Sequence, residues 1–177
     1  MTTTLERVGE PDLSDAYRTV SWMVRDRSHS TPDAVSMRNK DFGIWQERTW
    51  SDLWEEIVIT SHGLLALGVE RGDVVSIHSE DRPEWVIVDL AAVAIRAMST
   101  GLYPTNPMAE VQYLVNDSGA RVHIAEDQEQ VDKMLDAGPD AFPNIKTIIY
   151  LEPRGLRSYD DDRLMFWDDF MELGRAH

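Results

Sequence analysis

DVVSIHSEDRPEWVIVDLAAVAIRAMSTGLYPTNP, residues 73–107, holds one complete unit of an alternating architecture. Val74 to His78 reads as a strand, and Arg82 to Ile95 as a helix with Pro83 in its first turn, where the missing N–H costs nothing. Ala97 to Leu102 then reads as a second strand. The Val86-Ile87-Val88 core of the middle segment has strand character, but the length of the apolar stretch decides for helix. That helix is apolar nearly all round and is therefore expected to lie between layers rather than on the surface.

The same alternation continues downstream. Pro107 to Asp117 and Gln128 to Ala137 have helical spacing, and Arg121 to Ala125 and Lys146 to Leu151 read as strands. The resulting βαβαβαβ series predicts an α/β fold, a predominantly parallel β-sheet flanked by helices, because right-handed crossovers place helices on the sheet faces. Upstream, Ala34 to Arg38 and Ile44 to Thr49 form a β-hairpin around residues 39–43. Ser51 is positioned to cap an amphipathic helix bearing Leu53, Trp54, Ile57, Val58, Leu64 and Leu65. Tyr17, Val20, Met23 and Val24 mark a further helix, and residues 1–16 read as a flexible amino-terminal arm. Residues 152–177 change character: acids crowd around Met165, Phe166, Trp167, Phe170 and Met171, which predicts an acidic connecting loop and a short helix near Trp167 to Leu173.

Seventeen basic residues against 32 acidic give a net charge of −15, which repels phosphate backbones and argues against nucleic acid as a partner. The chain has no cysteine, so disulfides, thiol catalysis and thiolate metal sites are excluded together. The opening residues have neither a basic nor an apolar leader segment, and no apolar run reaches bilayer length, so a cytoplasmic protein is expected.

Ligands of a parallel sheet bind beyond the carboxyl ends of its strands, which directs attention to Ser79 to Arg82, Tyr103 to Asn106, and Glu126-Asp127. Glu80, Asp81 and Asp127 have the chemistry of a hard-cation site, but acids at helix N-termini are expected on dipole grounds alone. Thr105 or Asn106 reads as an N-cap with Pro107 at the first helical position. Pro104 and Pro107 fix two φ angles and bias Tyr103 and Asn106 away from helix, making a stiff turn. The five histidines show no metal-ligand spacing, and His78 and His123, inside strands, read as satisfied structural imidazoles. Asp89, in the apolar helix, needs a partner such as a nearby Arg. No phosphate-cradling glycine motif and no nucleophile elbow is present, so no residue is assigned as catalytic and none as a metal ligand.

Taken as a set, RPEW (82–85) with VDLAAVAI, YPTNP (103–107), VQYLVNDSGARV (111–122), AEDQEQVDKML (125–135) and FPNIKTII (142–149) resembles the amino-terminal region of long-chain fatty acyl-CoA synthetases, AMP-forming ligases of the acyl-adenylate-forming superfamily. TWSDLWEEI (49–57) and LLALGVERGDVVSI (64–77) fit the same region. The resemblance implies that residues 17–151 are the α/β amino-terminal subdomain of a larger adenylate-forming domain. The whole enzyme would activate a fatty acid as its acyl-adenylate and pass it to coenzyme A, using ATP and Mg²⁺ that this fragment alone does not bind. Tyr103, Pro104, Thr105 and Asn106 would then form part of the wall against which the acyl chain lies. Fatty acid, ATP and coenzyme A are the implied partners, joined by transient membrane-surface contact and homo-oligomer formation, with Trp167, Phe170 and Met171 as the exposed associating residues. Two positions depart from the family: Asp81, where Asn is common, and Arg96, where Gly or another small residue is common. The alternative is a free-standing flavodoxin-like module that binds a cation through Glu80, Asp81 and Asp127, or acts in protein interactions. The hairpin and long helix before residue 70 are surplus to such a fold.

Overall fold

Val75 and Ile77 point to one side of their strand and Val74, Ser76 and His78 to the other, and all five are buried. A strand buried on both faces needs a layer on each, which is how the chain is built in the computed structural model. The structure describes residues 19–138 and 140–177, so the expected arm over 1–16 and Tyr17 lie outside the described residues. The elements run α1 (Val20–Ser30), β1 (Val35–Asp41), β2 (Ile44–Thr49), α2 (Trp50–Ala66), β3 (Val74–His78), α3 (Pro83–Ala94) and β4 (Met98–Leu102). They continue with α4 (Met108–Ser118), β5 (Val122–Ala125), α5 (Gln128–Leu135), β6 (Thr147–Tyr150), β7 (Leu164–Phe166) and α6 (Trp167–Ala176).

Strands β1 and β2 form an antiparallel hairpin, and the remaining five form a wholly parallel sheet in the order β4-β3-β5-β6-β7. Counted along the sheet alone this is 2-1-3-4-5, the doubly wound order with its switch point between β3 and β5. On one face Val75, Ile77, Ile124 and Ile149 pack under α3, which is covered in turn by α1 and α2, with α6 beside α2. Helix α3 is thus sandwiched, as its composition predicts. On the other face Val111 and Val115 of α4 and Val131 and Met134 of α5 cover Val74, Leu102, Ala125 and Ile148.

Several local expectations are corrected. Helix α2 is capped by Thr49, not Ser51: Thr49 accepts from the Asp52 N–H at 3.1 Å and Asp52 accepts from the Thr49 N–H at 2.9 Å, a reciprocal capping box. In α4 the N-cap position is Pro107 itself, with no side-chain cap from Thr105 or Asn106. Helix α1 buries Ser21, Val24 and Ser28 and leaves Val20 and Met23 exposed; the Ser21 hydroxyl donates to the Leu90 carbonyl at 2.7 Å, so a small polar residue lets the helix approach α3. Leu164–Phe166, expected within a loop, is the fifth parallel strand, paired with Ile148–Tyr150. Phe170 and Met171 are buried against α2 rather than exposed, and Trp167 packs partly against the same core.

Candidate functional site

The carboxyl ends of β3, β4, β5 and β6 share one edge of the sheet, so the sheet itself gathers the loops that follow them. At the switch point the loop after β3 meets the loop after β5. The Glu80 N–H donates to Glu126 Oε2 at 2.7 Å, and Arg82 bridges Glu126 at 3.4 Å and Glu84 at 3.2 Å. Burial opposes the Arg82 charge, but Glu84 and Glu126 outweigh it and hold the guanidinium above its ordinary pKa. These bonds tie the two loops together across the crevice where ligands of doubly wound sheets usually sit.

The proposed cation ligands do not converge. Asp127 accepts from the Gln130 N–H at 3.3 Å as the N-cap of α5, the helix-terminal role expected of it. Among the described residues no group of three or more His, Asp or Glu is arranged to hold a metal ion.

Tyr103 to Asn106 form a tight turn closed by the Asn106 N–H donating to the Tyr103 carbonyl at 2.9 Å. Tyr103 is 78% exposed while Asn106 is buried, so the turn presents its ring outward from an anchored base. The anchor is Lys133, which the sequence did not single out. Its Nζ donates to the Pro104 carbonyl at 2.6 Å and to Gln130 Oε1 at 2.9 Å, and it pairs with Glu129 at 3.0 Å. Nothing in the spacing marks a lysine that reaches a carbonyl 29 residues earlier.

Beneath this turn lie two fully buried histidines. His123 Nδ1 meets the Ser76 hydroxyl at 2.8 Å, and the His78 and His123 rings stand edge to face with centroids 5.6 Å apart. Neither nitrogen of His78, nor Nε2 of His123, meets a protein partner at hydrogen-bond geometry, so these imidazoles are less satisfied than expected. Burial drives His78 down to about 4, reinforced by the Lys133 charge, and drives His123 down to about 3, reinforced by His78. Both rings are neutral at physiological pH. Asp89 is half-buried, and its partner is the Ser99 hydroxyl rather than an arginine.

A large cleft of about 1590 Å³ opens between the hairpin, α2, α6 and the strand-end residues Arg82, Glu126 and Glu152. Tyr103 to Asn106 do not line it. Its acids outnumber its bases, Asp81, Glu126 and Glu152 at the strand ends among them, so the cleft is negatively charged.

Residues 24–168 match the family model described as AMP-binding enzyme. The long-chain-fatty-acid–CoA ligase ACSBG2 of Xenopus laevis is 26% identical over 163 residues, which are 89% of this chain and 21% of that protein. The long-chain-fatty-acid–CoA ligase FadD15 of Mycobacterium tuberculosis is 29% identical over 153 residues, 86% of this chain and 24% of that protein. An uncharacterized protein of the same organism is 36% identical over 107 residues, 60% of this chain and 59% of its own. Among solved structures, an acetoacetyl-CoA synthetase from Streptomyces lividans superposes with a TM-score of 0.74 at 19% identity, over 85% of this chain and 24% of that one. An anthranilate CoA ligase bound to anthranoyl-AMP superposes with a TM-score of 0.69 at 20% identity, over 91% and 28%. The chain spans about a fifth to a quarter of the length of the two ligases it matches. With a family match covering most of the chain, and a fold shared with these two solved enzymes, this chain belongs to the AMP-binding enzyme family.

Proposed function

We propose that this chain is the amino-terminal portion of an AMP-forming long-chain fatty acid–CoA ligase. In that reaction a carboxylate oxygen attacks the α-phosphorus of ATP and pyrophosphate leaves. The thiol sulfur of coenzyme A then attacks the acyl carbon and AMP leaves. The observation that carries the reading is the family match over residues 24–168, alongside relatives named as long-chain-fatty-acid–CoA ligases. ATP and Mg²⁺ belong to the whole ligase. The acid-rich strand ends of this portion supply no phosphate cradle, so residues 1–177 alone bind neither. Their contribution is scaffold, with β7 and α6 of residues 152–177 completing the parallel sheet and its cover, together with one wall of the acyl pocket. Tyr103, Pro104, Thr105 and Asn106 make that wall, with Lys133 holding the turn so that the Tyr103 ring stays in place. The enzyme works in the cytoplasm, touches membrane surfaces transiently and self-associates.

A chimera tests this reading: residues 24–168 replace the matching segment of FadD15 of Mycobacterium tuberculosis, and ATP–pyrophosphate exchange is measured with long-chain acids. An active chimera, beside an inactive chain of residues 1–177, is expected. A folded chimera without exchange, or exchange by the short chain, overturns the reading. Tyr103→Ala in the active chimera is expected to change the preference among acyl chain lengths; an unchanged profile leaves the turn a structural role only.

A further inference from the structure

The β1–β2 hairpin ends in a two-residue turn, Phe42-Gly43, between the paired Asp41 and Ile44. Both turn residues have positive φ, 44° and 84°, the conformation of the tight hairpin turn whose first position favours Asn, Asp or Gly. A phenylalanine there is strained, and such strain collects at functional sites. The turn holds the ring in solvent: Phe42 is 92% exposed, and its neighbours Ile44 and Trp45 are 65% and 62% exposed.

We propose that this hairpin tip dips into the surface of a lipid bilayer, with Phe42 leading and Ile44 and Trp45 following. Three features favour lipid over a protein partner. Ile44 and Trp45 are adjacent on one strand, so they point to opposite faces of the ribbon. A docked protein meets one face, whereas apolar groups all round a tip match a surrounding solvent. The area is also small: three such side chains offer on the order of 400–500 Å², against about 800 Å² per partner in a stable protein interface. The polar pattern is interfacial as well. Trp45 sits two residues above the tip, roughly 7 Å at strand rise, within the depth of about 5–10 Å at which apolar groups enter the headgroup boundary. The Lys40 ammonium lies 5.6 Å from the Trp45 ring centroid on the paired position, where it reaches headgroup phosphates. The proposal gives a location to the membrane contact of the preceding section and rests on that reading only for its biological setting. The test below uses no ligase activity, so its failure leaves the ligase reading standing.

The test is flotation of the 177-residue chain with phosphatidylcholine vesicles, at physiological and at high ionic strength. Co-flotation that persists at high salt is expected, because the driving force is apolar and the net charge of −15 opposes purely electrostatic attachment. Phe42→Asn separates binding from folding: it relieves the strained turn, so the urea midpoint rises, while vesicle partitioning falls roughly tenfold or more. Trp45→Ser is expected to weaken partitioning with an unchanged far-UV spectrum. Absence of flotation by the natural chain, or undiminished flotation of Phe42→Asn, overturns the proposal. So does sedimentation in which Phe42→Asn turns a dimer into a monomer while vesicles leave both proteins behind.

Discussion

Arg96 carries a φ of 66° on an exposed surface, directly after α3, and its carbonyl accepts from the Gly72 N–H at 2.9 Å. Its backbone is therefore committed to the left-handed region, where any residue with a Cβ is disfavoured. Arg96, where the resemblance implies Gly or another small residue, thus sits at a conformational bottleneck. Arg96→Gly is expected to stabilise the chain by about 0.5–1 kcal/mol, measured by urea denaturation. No gain would mean that the arginine side chain returns an equal amount through contacts on α3 or β4.

Among elements, α6 fits closely where it crosses α2. Phe170 lies over Gly63, where a Cβ would come within 2.6 Å of the ring, and a Cβ on Gly174 would stand 2.2 Å from the Ile59 carbonyl oxygen. The ring edge has some freedom to turn; the carbonyl of a helix has none. Gly174→Ala is therefore expected to push α6 off α2 and destabilise by about 1–3 kcal/mol, more than Gly63→Ala. Equal melting temperatures for Gly174→Ala and the natural chain would show that α6 is not held in this contact. The comparison matters because α6 and β7 are the elements that bind the acidic tail to the sheet.

For the molecule as a whole, the buried histidine pair sets an acid limit on stability. In the fold His78 and His123 stay neutral down to about 4 and about 3, whereas in the unfolded chain both protonate around 6.5. Between 6.5 and 4 the unfolded state binds more protons, so stability falls as the pH falls through that window. The carboxylates held low by their partners, Asp52 by Thr49 and Asp161 by Arg163, add their loss only at lower pH. His78→Leu, which removes one titrating ring and its unpaired nitrogens, is expected to flatten the decline in unfolding free energy across this window. An unchanged slope would assign the acid sensitivity to other groups.

The parallel sheet, the hairpin and the sandwiched helix were legible in the sequence because each is written in local terms: period and composition in 73–107, a glycine-bearing turn at 39–43, an apolar surface all round 83–94. Three adjacent residues, Leu164 to Phe166, were not legible as a strand, since only pairing with β6 and cover from α6 make so short a run extended. The same limit applied at the strand ends. Sheet topology predicted which loops share an edge, but not that Arg82 ties Glu84 to Glu126, that Lys133 clasps Pro104, or that Ser76 meets His123. Those contacts join residues 29 to 47 positions apart, or depend on which way a side chain leaves its strand, and no spacing rule carries that information. What the chain determined alone is most of its elements and their order along the backbone. Which residues meet across those layers, and which aromatic side chains are left facing solvent, is decided only when the layers close on a common core.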